Sequence, residues 1–290
     1  MSNKVVVGIF GSGVVGTATG AIFEQLCPDF VDVIYYDKYK KGLTENLDDL
    51  ITKSNFIFIC LPTPMKSTGE AKMDFVEDAV SQIASREEYD PIIIIRSTSV
   101  SGSTDAIAEK YPKSRIAFCP EFLTERNSIK DSISTNRVVI GANEVSIARN
   151  IHDLFYLAFS HEVIYIFLSR KEAETLKYFS NCFLTAQVMF ANELYFICKE
   201  IGVDYDKVRR CLIYDKRIGT FTQVPGHDGD FGVGGRCFPK DFNAFRYLAK
   251  KNGCSTPIMD TMMLFNDKIR KNRDWEEIPG AVEHNNNFEE

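Results

Sequence analysis

The sequence lacks any apolar run long enough to cross a bilayer. Its longest, "FIFICLP" and "PIIIIRS", suit buried strands and fall well short of the ~20 residues a spanning helix needs. A signal-peptide layout is missing too, because the apolar start "VVVGIFGSG" is already interrupted by glycine. The eight cysteines (27, 60, 119, 182, 198, 211, 237 and 254) form no CxxC pair and keep no regular spacing. In a chain of 290 residues that argues against a disulfide frame and for reduced thiols. Histidine is scarce: the four residues at 152, 161, 227 and 284 stand apart, none at a ligand-like distance from a cysteine pair, so no metal is expected. Positive charge is not in excess either. Lys and Arg number 34 against 40 Asp and Glu, a net charge of -6, which argues against a nucleic-acid surface. What remains is a cytoplasmic globular chain long enough for two domains.

The first half alternates strand and helix signals. "KVVVGIF", "VDVIYYD", "NFIFICL", "PIIIIRS", "RIAFCP", "RVVIGA" and "HEVIYIF" are seven apolar runs separated by helix-length segments. Runs that are apolar throughout imply parallel strands covered on both faces, a doubly wound α/β sheet of the Rossmann type. Between the first run and a helical stretch lies "GSGVVG". Gly11 permits the tight turn, Gly13 lets the backbone approach a pyrophosphate, and Gly16 lets the helix pack on the strand. The amides opening that helix, at Val14 and Val15, face the anion. Asp37 follows at the end of the second run, placed to accept hydrogen bonds from ribose hydroxyls and to repel a 2′-phosphate. NAD is therefore expected rather than NADP, with Lys38, Lys40 and Lys41 beside the aspartate as the opposing signal.

The pattern changes at Ser169. "SRKE" has the form of a capping box, and the segment after it runs without Pro or Gly to Gly202. Its apolar residues wrap most of the circumference, which predicts a helix buried on several sides, between domains or subunits. Shorter helical patterns follow in an all-α region. The expected division is a dinucleotide-binding domain over 1–168, a helical domain over 169–275 and a polar, fraying tail over 276–290. Within the helical region, "GDFGVGGRCFPKD" sets Cys237 among glycines at the mouth of a helix, with Lys240 and Asp241 beside it. A helix N-terminus and an ammonium favour a thiolate there, while the other seven cysteines read as packing.

"CLPTPMKSTGEAKMD", "RSTSVSGSTD", "CPEFLTERNSIKD", "EAETLKYFSN", "DKRIG" and "GGRCFPKD" occur in that order. Together they resemble the UDP-glucose/GDP-mannose 6-dehydrogenase family over about residues 5 to 270. The resemblance implies oxidation of the C6 alcohol of a nucleotide sugar to a carboxylate, with two hydride transfers to NAD and an enzyme-bound thioester on Cys237. It further implies that Lys177 and Asn181 hold the oxyanion, with Asp241 as proton acceptor. Glu121, Phe122, Leu123 and Glu125 of "PEFLTE" would line the sugar site, with one of the two glutamates aiding attack of water on the thioester. Thr63, Pro64 and Thr98 would stand beside the cofactor, with Glu125 and Lys240 close to it. Gly234 would leave room for substrate, and Arg217 would reach the sugar in the partner of a homodimer. Taken singly, each also has a plain reading: a surface lysine, a helix-start charge or a turn residue.

Three features depart from the family pattern. The chain ends soon after "LFNDKIRKN", where most members continue into a third, nucleotide-binding domain, so a short form lacking that domain is expected. "TERN" replaces the usual Arg-Glu-Gly after "PEFL". The loop "QVPGHDGDFGVGG" is longer and more acidic than usual, so Asp228 or Asp230 is expected to bear on the approach of phosphate. A two-domain β-hydroxyacid dehydrogenase shares the layout without needing a thiol, and a non-catalytic dimer binding NAD or a nucleotide sugar is the third alternative.

Overall fold

The computed structural model describes residues 4–40 and 46–283, and the chain divides into two compact units, Met1–Thr63 with Met73–Lys177 and Pro64–Lys72 with Tyr178–Glu290. The first unit runs β1 (Val5–Phe10), α1 (Val14–Leu26), β2 (Val31–Tyr36), α2 (Leu47–Lys53), β3 (Phe56–Ile59), α3 (Asp74–Ala84), β4 (Ile92–Ile95), α4 (Ser103–Lys110) and β5 (Arg115–Phe118). A 3-10 turn at Glu125–Asn127 then leads to α5 (Ser128–Ile133), β6 (Arg137–Gly141), α6 (Val145–Phe159), β7 (Ile164–Leu168) and the start of α7 (Arg170–Glu200).

Each of the seven expected strands is present, in one sheet of order β2-β1-β3-β4-β5-β6-β7. The side-chain period of two explains why these runs are apolar throughout. Phe58, Ile92 and Ile94 enter the core under α1 and α6, while their neighbours Ile57, Ile59, Ile93 and Ile95 enter the core with α2, α3 and α4. The expectation of a wholly parallel sheet needs one correction: β6 runs antiparallel to β5, meeting it at Phe118↔Gly141, and β7 then runs parallel to β6. An apolar run reports burial on two faces and carries no direction. Direction is set here by the connection, in which the short α5 packs against α1 instead of making a full crossover.

The helix α7 starts as its capping box requires. The Ser169 amide and hydroxyl donate to Glu172 at 2.9 and 2.6 Å, and the Glu172 amide donates back to Ser169 Oγ at 3.3 Å. The boundary between units falls at Lys177/Tyr178, later than the change of pattern at Ser169. The reason is that the first two turns belong to the sheet's core: Ala173 is buried there, and a Cβ at Gly141 would lie 2.6 Å from Ala173 Cβ.

The second unit holds α7 from Tyr178 onward, α8 (Tyr205–Leu212), α9 (Phe238–Lys251), α10 (Pro257–Ile269) and a 3-10 turn at Asp274–Glu276. Ala191, Tyr205 and Val224 form its small core, with Tyr195 and Phe231 packed against it. Part of the segment expected as a polar tail packs within this unit: Ala281 is buried, Met65 bridges to Val282, and Lys72 pairs with Glu283 at 2.6 Å. The remainder of the tail, with His284, lies outside the described residues, as does Lys41. Within the single chain α7, expected to be buried between domains or subunits, leaves one side uncovered. Phe179, Phe183, Phe190 and Ile197, spaced 4, 7 and 7 residues apart, form one exposed stripe on which Phe183 and Phe190 are 71% and 61% exposed.

Candidate active site

In the first unit the glycine turn has the geometry its spacing predicts. Gly11 sits at φ 96°, in the left-handed region, and a Cβ on Gly16 would run into the Gly11 carbonyl. Gly13 precedes α1 with no side-chain cap and with nothing within 4 Å of where its Cβ would stand. The first amides of α1, at Val14, Val15 and Gly16, are thus left for an anion to reach. Asp37 lies beside them and accepts from the Ser12 amide and hydroxyl, each at 2.9 Å, and from the Tyr39 amide at 3.0 Å. Partial burial alone would raise its carboxyl; the Tyr39 and Ser12 hydrogen bonds and the charge of Lys40 outweigh that and hold it below the usual carboxylate range. Open glycines, orphan amides and an ionised aspartate at the end of β2 fit a dinucleotide whose ribose carries free hydroxyls. Lys40 donates to the Ser12 carbonyl at 2.6 Å, whereas Lys38 is exposed over the Tyr39 ring.

The same unit gathers residues from four of the other motifs. Lys177 Nζ reaches Glu121 Oε1 at 2.9 Å and the Glu121 carbonyl at 2.8 Å, and both side chains are buried. The other Glu121 oxygen accepts from the Leu123 amide at 2.8 Å, which fixes the turn. Phe122 lies under two cations, Arg137 at 4.1 Å and Lys177 at 5.6 Å from its ring centre. Thr63 Oγ1 donates to the Thr98 carbonyl at 2.8 Å, joining the loops after β3 and β4. Glu125 is exposed on its 3-10 turn.

In the second unit the thiol loop ends at Cys237, the N-cap residue of α9. Cys237 is exposed. Burial pushes the thiols of Cys60, Cys119 and Cys182 up to about 12 and that of Cys27 to about 11, so these four suit packing. Four residues beyond Cys237, the buried Asp241 receives Asn181 Nδ2 and Lys240 Nζ, both at 2.5 Å. Lys240, expected near the cofactor and the thiol, is therefore engaged by the neighbouring carboxylate. Pro64 belongs to this unit as well, its carbonyl accepting from the Lys72 amide at 2.8 Å. Arg217 is exposed and held by Asp215 at 2.5 Å. The acidic loop residues have partners of their own: Asp228 pairs with Arg270 at 2.8 Å, and Asp230 accepts from the Lys271 and Asn272 amides at 3.0 and 2.8 Å.

Several structuring residues escaped the motif reading. Asn192 accepts from the Gly232 amide at 3.0 Å, Asn266 from Val233 at 2.8 Å, and Asp274 from Gly235 at 3.1 Å. The available signal was an asparagine directly after an apolar stretch, Asn192 after "VMFA" in α7 and Asn266 after "MMLF" in α10. Among the described residues no group of His, Cys, Asp and Glu could hold a metal ion, and no helix is long and apolar enough to cross a membrane.

A Rossmann sheet with this glycine turn and aspartate, continued by one long helix into a helical unit that carries an exposed thiol, defines a dinucleotide-binding protein of the dehydrogenase class. The chain belongs to the UDP-glucose/GDP-mannose dehydrogenase family: residues 39–159 match the family's NAD binding domain and residues 171–268 its central domain. UDP-glucose 6-dehydrogenase YwqF of Bacillus subtilis is 31% identical over 277 residues, covering 83% of this chain and 61% of the relative. TuaD of the same organism, also a UDP-glucose 6-dehydrogenase, is 32% identical over 256 residues, covering 86% and 54%. The chain therefore spans a little over half the length of these relatives. Among solved structures, a UDP-glucose dehydrogenase from Pyrobaculum islandicum aligns over 92% of this chain and 69% of its own with a TM-score of 0.79 and 26% identity. A 3-hydroxyisobutyrate dehydrogenase from Mycobacterium tuberculosis aligns over 92% and 94% with a TM-score of 0.71; at 12% identity it shows a shared fold alone.

Proposed function

We propose that the chain oxidises the C6 alcohol of a nucleotide sugar, UDP-glucose, to the uronic acid through a thioester on Cys237. The glycine turn and Asp37 would hold NAD⁺, and two molecules bound in succession would each supply the acceptor for one hydride. The observation that carries the reading is the exposed Cys237 at the head of α9, in a chain whose family makes such oxidations. The chain's own groups divide the work. Lys177 and Asn181 donate to the substrate oxygen as charge develops on it, and Asp241 takes the proton released from the C6 hydroxyl. The Cys237 thiolate then adds to the aldehyde carbon, forming a C–S bond and an alkoxide. Loss of the second hydride leaves the thioester. Water, activated by Glu121 or Glu125, breaks the C–S bond to give the carboxylate and regenerate the thiol. Thr63 and Thr98 bear on the cofactor, Gly234 on the sugar. The protein works in the cytoplasm as a homodimer. The apolar stripe of α7 meets its counterpart, and Arg217 is presented to the sugar of the second copy.

The test is stoichiometric. Parent protein with UDP-glucose is expected to yield two NADH per sugar consumed. The Cys237→Ser variant is expected to form almost no acid. Full turnover in that variant overturns the thioester route, and one NADH per sugar in the parent identifies a simple alcohol dehydrogenase, as in the β-hydroxyacid alternative.

A further inference from the structure

The thiol loop is clasped by two residues that lie beyond the matched central domain. Arg270, at the C-terminus of α10, has a side chain only 2% exposed. Its Nη2 pairs with Asp228 at 2.8 Å and with Asp274 at 3.0 Å, and its Nη1 donates to the Phe231 carbonyl at 3.3 Å. The Asp274 carboxylate in turn accepts the Gly235 amide with both oxygens at 3.1 Å. One guanidinium thus grips the loop at its start, and through Asp274 at a point two residues before Cys237. The loop lies directly on this pair: a Cβ at Gly234 would collide with the guanidinium. Gly235, at φ 73°, makes the last left-handed turn before the cysteine. Arg270 Nε is anchored independently on the Asn272 carbonyl at 2.7 Å, so the fork is held from behind as well.

We infer that Arg270 and Asp274 are positioning residues that fix the 228–237 loop and so hold the Cys237 sulfur at the head of α9. A buried bidentate donor with two carboxylate partners has one low-energy geometry, and a loop closed around it inherits that geometry. Loosening it leaves the glycine turn and Asp37 unaltered, because no part of the clasp lies in the first unit. This inference rests on the assignment of Cys237 as the nucleophile for its kinetic consequence alone. Its structural consequence, order in the loop, stands without that assignment.

Two variants of the intact chain test it. Arg270→Lys keeps the charge and loses the fork, and Asp274→Asn keeps an acceptor and loses the charge. Hydrogen exchange of the peptide covering 228–237 is expected to speed up about tenfold or more in both, with peptides from the first unit unchanged. Alkylation of Cys237 by iodoacetamide, followed by peptide mass spectrometry and without substrate, is expected to change severalfold, while alkylation of the exposed Cys211 and Cys254 stays as in the parent. With UDP-glucose and NAD, the second hydride transfer is expected to slow at least tenfold, with KM for NAD within twofold. Parent-like exchange and alkylation in folded variants overturn the inference. So does a uniform speeding of exchange across the chain, which marks a general stabilising role. Exchange and alkylation report even if no nucleotide sugar is oxidised, so failure of the catalytic reading is separable. Should Arg270→Lys not fold, Asp274→Asn alone decides, since it leaves the Arg270–Asp228 pair in place.

Discussion

At the scale of single residues, the buried carboxylate of Glu174 is the most consequential group outside the candidate site. It sits on the first turns of α7 and receives the Gly102 amide at 2.6 Å, the Thr104 amide at 2.8 Å and the Thr104 hydroxyl at 2.6 Å, joining α7 to the start of α4. Burial raises its pKa to about 7 although all three donors pull it down; the charge of Asp105 adds to the rise, and Arg170 pairs with Asp105 at 2.7 Å. A carboxyl raised from its ordinary 4.5 to about 7 binds its proton in the folded state while the unfolded chain has released it. Its contribution to stability is therefore complete below about pH 4.5, falls as pH rises through that window, and is lost above about pH 7. At about 1.4 kcal/mol per pK unit the effect is on the order of 3 kcal/mol. The expected outcome is that the unfolding free energy of the parent, relative to Glu174→Gln, falls by about 2–3 kcal/mol between pH 5 and 8 in urea titrations. A pH-independent difference would mean that the three donors, rather than burial, govern the group. Glu174 lies within "EAETLKYFSN", but the motif gave it no role. Its role depends on the loop at residues 101–104, some seventy positions away, and only the fold brings the two together.

At the scale of elements, α7 shows which parts of the architecture were legible. Its start could be read because a capping box is a local device, complete within four residues. Its end could be read from Gly202, and the seven strands from apolar runs set apart by helix-length segments. The reversal of β6 was hidden, because burial on both faces is compatible with either direction. The exposed stripe was hidden for a related reason: an apolar circumference states how much of the helix is covered and not by what. Phe179, Phe183, Phe190 and Ile197 lie on the solvent side of this chain, and the proposed homodimer would cover this row of four large apolar groups. Covering each such side chain is worth about 1.5–3 kcal/mol. Phe183→Glu together with Phe190→Glu is thus expected to weaken self-association by several orders of magnitude. In sedimentation at micromolar concentration, a parent that runs as a dimer should give a double variant that runs as a folded monomer. A parent that is monomeric throughout refutes the homodimer, and a double variant that stays dimeric places the interface elsewhere.

At the scale of the whole molecule, the glycine turn and the Cys237 loop, to which the proposed function gives cofactor and thiol chemistry, lie in different compact units, and the two differ in how far sequence revealed them. The first unit's device is contiguous: Gly11 to Gly16 and Asp37 lie within one βαβ turn, and their spacing specified the geometry. The second unit's device is assembled from α7, α10 and the 3-10 turn after it, with Asn192, Asn266, Arg270 and Asp274 meeting a loop from elsewhere in the chain; spacing could name Cys237 but not what holds it. This division makes cofactor binding testable without any turnover. A ligand that binds only the folded state stabilises it by about 2.7 kcal/mol at a hundred times its dissociation constant. NAD at saturating concentration is expected to raise the melting temperature of the parent and of Cys237→Ser equally. Asp37→Ala is expected to lose most of that rise, because the ribose hydroxyls lose their acceptor, and to close the gap between NAD and NADP by removing the repulsion of the 2′-phosphate. If Asp37→Ala keeps the full rise, the ribose is held by other groups. If Cys237→Ser loses it, the thiol loop takes part in cofactor binding, and the separation of roles between the two units is wrong.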